Sequence, residues 1–342
     1  MKLIYDLNLP ELVSLMLEWG EPEYRAQQIW QGLYRQYWKT PEQFANIPTS
    51  LRTRLAENLE FKVLTLATTL NSSDGQTVKS LFKLQDGKSI EAVLMRYDKR
   101  NTLCISSQAG CAMGCVFCAT GQMGFKRHLS SGEIVAQVMY YADLLHGENK
   151  VATNVVLIGM GEPFHNYDNT LAAIDRLNDP QGYNFGARRF TISTVGLVPA
   201  IRRFAAEKRQ INLAISLHAA DDALRASMLP VDKRYPIDEL LAACKEYIDA
   251  TGRRITFEWA LINEINDTPE QALILAHKLK GLLCHVNAIT LNPTLGYSGK
   301  ATTRERAERF KQILDDHGIP CTIRLRRGID IQAGCGQLAS QV

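Results

Sequence analysis

Apolar residues fall at helical spacing over the first 60 positions, then alternate, then settle into a strand–helix rhythm that lasts almost to the end of the chain. From Pro10 to Trp19, and again after Glu21-Pro22-Glu23, they recur every three to four residues. Ile29/Leu33 and Trp30/Tyr34 are i,i+4 pairs on one broad apolar face. Between 62 and 108 the period drops to two. Thr77 to Leu84 and Ser89 to Arg96 read as strands, and Asp74-Gly75 and Asp86-Gly87 are hairpin turns. Beyond residue 118 the pattern predicts helices at 131–145, 167–178, 197–208, 236–250, 268–281 and 302–316. These alternate with strands at 154–159, 189–194, 211–217, 254–259, 286–291 and 320–324. Alternating units of this kind bury a parallel sheet beneath outer helices. Six or so repeats predict an α/β fold, a partial (β/α)6-type barrel whose chemistry sits at the C-terminal strand ends.

The expected organisation is a helical N-terminal accessory unit at 1–60, a candidate for nucleic-acid contact, and a β-meander extension at 61–103. The barrel follows at 104–327, then a tail without clear period at 328–342. In the first unit, Arg25, Arg35 and Lys39 lie beside aromatics. They suit either nucleic acid or, more simply, a small bundle with snorkelling basic side chains.

With 342 residues, 46% of them hydrophobic, the chain can bury a large core. No stretch approaches the roughly 20 apolar residues of a membrane span, and the N-terminus shows no export signal. A cytoplasmic protein is expected, with its eight cysteines reduced or bound to metal. A net charge of +3 excludes a basic coat, so contact with RNA must come from local patches. The candidates are Lys126-Arg127, Arg188-Arg189, Arg202-Arg203 and the group Arg324, Arg326 and Arg327. The first, second and last of these are expected on the side where a substrate enters.

Cys104, Cys111, Cys115 and Cys118 crowd into fifteen residues, the last three with the spacing C-x3-C-x2-C. Thiolates on a short loop can converge on an iron–sulfur cluster. Three ligands for four irons leave one iron open to a cofactor, as in the radical S-adenosylmethionine (SAM) enzymes. A zinc knuckle usually adds a fourth Cys or His at short range, and here the next is His128, ten residues on. Polar exceptions then recur at successive predicted strand ends. Gly159-Met-Gly161-Glu162-Pro163 comes first, then Ser193, then Ser216-Leu217-His218, and finally Asn292-Pro293. Singly each is an ordinary strand terminus; together, beside a cluster motif, they outline a SAM pocket. Cys244, Cys284 and Cys321 fit core packing, and His128 and His165 attract no role.

The run from Cys111 to Arg127 resembles the RlmN family, as do Gly159 to Pro163, Ser216 to His218 and Gly334-Cys335-Gly-Gln-Leu338. These are radical SAM methyltransferases acting on C2 of adenine 2503 in 23S rRNA, and often on adenine 37 of tRNA. The similarity runs nearly end to end. It implies that Cys111, Cys115 and Cys118 hold a [4Fe-4S] cluster, and that Gly161, Glu162, Ser193, Ser216, Leu217, His218 and Asn292 contact SAM. It also implies Cys335 as methyl carrier, Cys104 as the thiol that resolves the product, and Glu91 as proton acceptor. Two SAM are used per turnover. The implied partners are 23S rRNA, tRNA and an electron donor such as flavodoxin or ferredoxin, with a monomeric enzyme and no membrane. Gly334 stands where the family more often has Ala. The alternatives are a C8-adenine methylase of the Cfr type, a radical SAM enzyme on a non-RNA substrate, and a non-catalytic iron–sulfur or zinc RNA-binding module.

Overall fold

The computed structural model describes residues 1–324 and 326–339, so the last three positions of the expected tail lie outside the described residues. One ten-stranded sheet organises the chain. Its strands are β1 (Thr65–Asn71), β2 (Thr77–Lys83), β3 (Ser89–Tyr97), β4 (Arg100–Cys104) and β5 (Asn154–Leu157). The others are β6 (Phe190–Thr194), β7 (Asn212–Ser216), β8 (Ile255–Leu261), β9 (Cys284–Thr290) and β10 (Cys321–Arg324). They lie side by side in chain order. The first three pair antiparallel, and β4 turns the sheet. It runs antiparallel to β3 on one side and parallel to β5 on the other, with every later neighbour parallel. The meander therefore extends the barrel sheet. The parallel part begins at β4, ahead of the cysteine loop, and holds seven strands where six or so were expected.

Helices Ser131–Gly147, Tyr167–Asn178, Val198–Ala206, Ile237–Thr251, Pro269–Leu279 and Arg304–Asp316 cover the outside, each close to its predicted span. Ser131–Gly147 opens on a capping box. Glu133 N–H donates to Ser130 Oγ, and Ser130 N–H donates to the Glu133 carboxylate at 2.9 Å. The turn Ile4–Asp6, which leads into the N-terminal helices Leu9–Glu18, Tyr24–Arg35 and Thr49–Asn58, docks on this same helix start. Asp6 Oδ1 accepts from Gly132 N–H at 2.7 Å, filling a donor that the first turn leaves free. The basic residues singled out in that unit make internal contacts. Arg35 donates to the carbonyls of Pro180 and Gly182, Arg25 to Gln28 and Asn46, and Lys39 pairs with Asp143. Cys244, Cys284 and Cys321 are buried in the core.

The segment after β10 is held in place along its length. Ser73 N–H donates to Asp330, Lys79 Nζ to the Gln332 carbonyl, Gln337 to the Pro293 carbonyl, and Thr120 Oγ1 to the Leu338 carbonyl. It thus crosses from the last parallel strand back to β2 and β3, carrying Cys335 over the C-terminal strand ends. The expected free tail is a docked one, with Leu338 buried.

Candidate active site

The cysteine loop hangs from a short antiparallel pair, Gln108–Gly110 with Phe125–His128, that the alternation analysis missed. Its backbone is clamped by Cys111 N–H to the Gly124 carbonyl, Val116 N–H to Met228 and Ala119 N–H to Gly336, the last at 2.7 Å. Cys111, Cys115 and Cys118 line one cavity at the C-terminal ends of the parallel strands. Burial pushes the Cys111 thiol up to about 12 and Cys115 well above its ordinary value, and neighbouring thiols add to both. Three thiols in so dry a place ionise together only against positive charge, which a metal centre supplies. Among the described residues, no three His, Cys, Asp or Glu groups stand close enough to chelate a single ion.

Opposite the thiols are the strand-end residues. Gly161 has φ +100°, and a Cβ there would lie 2.5 Å from Gln108 Cβ, so only glycine lets this turn close. Buried Glu162 accepts from Phe164 N–H at 3.0 Å and Val195 N–H at 2.9 Å. The Thr194 side chain is a third donor, which leaves the carboxylate acceptor capacity for one more. Burial nevertheless raises its carboxyl to about 7. Ser193 and Ser216 stand 3.5 Å apart, oxygen to oxygen. His218 sits in the left-handed region at φ 61°, its Nδ1 accepting from Ala260 N–H at 2.9 Å. Burial, with Arg225 beside it, lowers its pKa to about 3, so it is the neutral ring with Nε2–H free to donate. Asn292 gives its amide to the Cys335 carbonyl at 3.1 Å, while its buried Oδ1 has no partner among the described residues. That unfilled acceptor fits a bound molecule with N–H or O–H groups.

Cys335 lines this cavity and also a second one, which holds Cys104, Tyr97, Arg324, Arg326 and Arg327. The two chambers adjoin, sharing Cys335, Gly336, Asn292, Ile289, Ile158, Gly159 and Thr120 in their walls. Burial raises Cys104 to about 12, whereas Cys335 is open to solvent with the Arg324 charge near it. All eight cysteines are free. Gly334 is tightly framed, since a Cβ there would come within 2.6 Å of Asn292 Nδ2. The glycine where Ala is commoner lets the tail lie flat on Asn292.

The chain matches the family model described as Radical SAM superfamily over residues 105–276, and the Ribosomal RNA large subunit methyltransferase N-terminal domain over 3–61. A protein of Chloroflexus aurantiacus named as a probable dual-specificity RNA methyltransferase RlmN is 50% identical, across 99% of this chain and 93% of its own. A Myxococcus xanthus protein named as a dual-specificity RNA methyltransferase RlmN is 49% identical, across 99% and 94%. The crystal structure of a radical SAM methyltransferase from Sphaerobacter thermophilus covers all of both chains at 48% identity and a TM-score of 0.98. The chain belongs to the RlmN family. It is a radical SAM RNA methyltransferase, and membership of the superfamily implies a [4Fe-4S] cluster and SAM.

In this RlmN-family enzyme two of the anticipated residues stand apart from the cavity. The Glu91 carboxylate is buried against Lys79 Nζ at 3.2 Å and accepts from Ala339 N–H at 3.0 Å, away from the lining. Leu217 is core, its carbonyl held by the buried Arg225. Two residues were missed. Glu258 lines the cavity, bonded to Asn287 at 2.8 Å and raised by burial to about 7. A lone acid in the apolar strand Ile-Thr-Phe-Glu-Trp was the available signal. Gln108 ties the cysteine loop to the Gly161–Glu162 turn. Its Oε1 accepts from Glu162 N–H at 2.9 Å, and its Nε2 faces Nδ1 of His128 at 3.0 Å and of His165 at 3.1 Å. The backbone N–H can only donate, which fixes the amide and makes both histidine Nδ1 atoms acceptors. The polar run Ser106-Ser107-Gln108 before Cys111 was legible as unusual, but its partners were not.

Proposed function

We propose that this enzyme methylates C2 of adenine in RNA, at position 2503 of 23S rRNA and position 37 of tRNA, through a methylated Cys335. The observation that carries this reading is that Cys335 lies in the wall of both chambers, one lined by Cys111, Cys115 and Cys118 and the other by Cys104. Cys111, Cys115 and Cys118 would hold the [4Fe-4S] cluster, which would supply one-electron chemistry for reductive cleavage of SAM. Cys335 takes a methyl group from one SAM by displacement, losing its thiol proton. A hydrogen atom then leaves that methyl group for the radical made from a second SAM, and the methylene carbon bonds to C2. Once the adduct has lost the C2 proton and its unpaired electron, the latter returned to the redox centre that supplied one, the Cys104 thiolate attacks the Cys335 sulfur. The sulfur–carbon bond breaks, the released methylene carbon takes up a proton to give methyladenine, and a Cys104–Cys335 disulfide is left for reduction by the electron donor. Glu91, as the C2 base, acts only after Ala339 lifts from it. The electron donor is a flavodoxin or ferredoxin, and the enzyme works as a cytoplasmic monomer. The RlmN naming of the relatives supports C2 over C8. Nucleoside mass spectrometry of rRNA and tRNA treated with the reconstituted enzyme tests this, with 2-methyladenosine expected. Formation of 8-methyladenosine would overturn it.

SAM contacts fall to Gly161, Glu162, Ser193, Ser216, His218 and Asn292, with the SAM ammonium on Glu162. A charge-assisted bond contributes roughly 1.5–3 kcal/mol, so Glu162→Gln is expected to weaken SAM binding about 10- to 100-fold with the cluster in place. The ammonium needs the carboxylate form. Affinity in the wild type should therefore be full above about pH 7 and fall as Glu162 takes up a proton below it. Calorimetric titration of SAM across pH checks both. A wild type whose affinity does not change with pH and is matched by that of the Glu162→Gln variant would remove the ammonium from Glu162.

A further inference from the structure

The four basic groups marked in the sequence differ in what already faces them. Arg127 lies between Asp86 and Glu133, Arg202 pairs with Glu239 and Glu246, and Arg203 pairs with Asp168 and Glu207. Such cations are matched within the protein and offer a polyanion little. Arg188-Arg189 precede β6, at the opposite end of the strands from the cavity, contrary to expectation.

The mouth of the second chamber is different. Arg324, Arg326 and Arg327 line it, and among the described residues no acidic one does. Arg100, at the start of β4, lays its guanidinium 4.2 Å from the centre of the Tyr97 ring. Arg327 lies 4.4 Å from the same centre. One aromatic ring thus gathers two cations without a carboxylate, through its quadrupole. Among the described residues, Arg100, Arg326 and Arg327 have no ion pair. Asp98 in the adjoining turn and Asp74, whose charge reaches Arg327, both lie beyond pairing distance of them. Arg96 next to Tyr97 is by contrast bound to Glu148 at 2.6 Å. Unmatched positive charge is therefore concentrated at the doorway to Cys104 and Cys335.

We propose that Arg100 and Arg327 on Tyr97, with Arg326, form a phosphate clip. It grips the backbone of a single-stranded RNA segment on either side of the adenosine that enters toward Cys335. The proposal rests on RNA being the substrate, as argued above. A base buried in folded RNA must be splayed out to reach a thiol. The flanking phosphates then need a fixed point at the entrance, which guanidiniums provide with a planar fork.

Counterion release sets the test. Each neutralised phosphate on a single strand contributes about −0.7 to the slope of log affinity against log salt. With reconstituted enzyme and a tRNA transcript, Arg100→Gln/Arg327→Gln is expected to make that slope shallower by about 1.4 while SAM affinity stays at the wild-type value. Tyr97→Leu disperses the two guanidiniums without changing net charge and should give part of the same loss. Arg202→Gln/Arg203→Gln removes as much charge elsewhere and should leave the slope alone. An unchanged slope in the Arg100/Arg327 variant, or an equal change in the Arg202/Arg203 variant, overturns the clip while the substrate reading stands. A wild-type enzyme with no salt-dependent RNA affinity overturns both.

Discussion

Cys335→Ala is expected to bind its cluster and SAM normally and to lose RNA methylation by about three orders of magnitude or more, as loss of an obligate nucleophile does. The packing evidence makes this a sharp test. Cys335 is exposed in the wall of both chambers, and its loop is held by its backbone carbonyl on Asn292 and by Gly336, Gln337 and Leu338. Removing the thiol therefore takes away little that folds the protein, and a core-cysteine role predicts near-silence. Peptide mass spectrometry of the wild type should find Cys335 carrying one methyl group. Cys104→Ala should stall one step later, with RNA covalently attached through Cys335, visible as a shifted band under denaturing conditions. No other described cysteine lines the chamber that holds Cys104 and Cys335, so none replaces Cys104 in resolving that bond. Full activity of Cys335→Ala would falsify the carrier assignment, and a fully active Cys104→Ala would remove the resolving step.

Alanine at Cys111, Cys115 or Cys118 is expected to abolish the brown colour of the anaerobically reconstituted protein and all SAM cleavage. The loop is clamped by backbone bonds on both flanks, so the apoprotein should keep its fold by circular dichroism. Two remaining thiolates are too few for a cluster that needs three protein ligands to leave one iron open. Iron and sulfide analysis with ultraviolet–visible spectra checks this. A redox-silent zinc site in the wild type would end the radical reading.

The six outer helices and the strands between them were legible because their pattern is local, whereas the seven-residue helix Asp222–Met228 was too short to show a period. The helix Tyr167–Asn178 matches its predicted span at both ends. The pair Gln108–Gly110 and Phe125–His128 escaped notice because three- and four-residue strands show too little alternation to count. The role of β4 was hidden for a different reason. Its sequence ends a meander, and only its second neighbour, β5, makes it the first strand of the barrel and puts Cys104 at a C-terminal strand end.

Residue type and spacing pointed to a cluster loop beside a SAM pocket, while the methylation chemistry and the part of Cys335 came from the resemblance to the family. The C-x3-C-x2-C loop, the glycine-rich turn at 159–163 and the polar strand ends are short-range patterns that need no knowledge of distant neighbours. Which groups meet was settled by the folded chain. It withdrew Glu91 onto Lys79 and Ala339, brought Glu258 and Gln108 to the site, matched Arg127, Arg202 and Arg203 with carboxylates, and left Arg100 and Arg327 unmatched on Tyr97. It also carried Cys335 across more than two hundred residues of chain to the chamber it shares with Cys104. Spacing fixes what a segment can hold, while charge pairing and burial depend on neighbours that the linear order does not name.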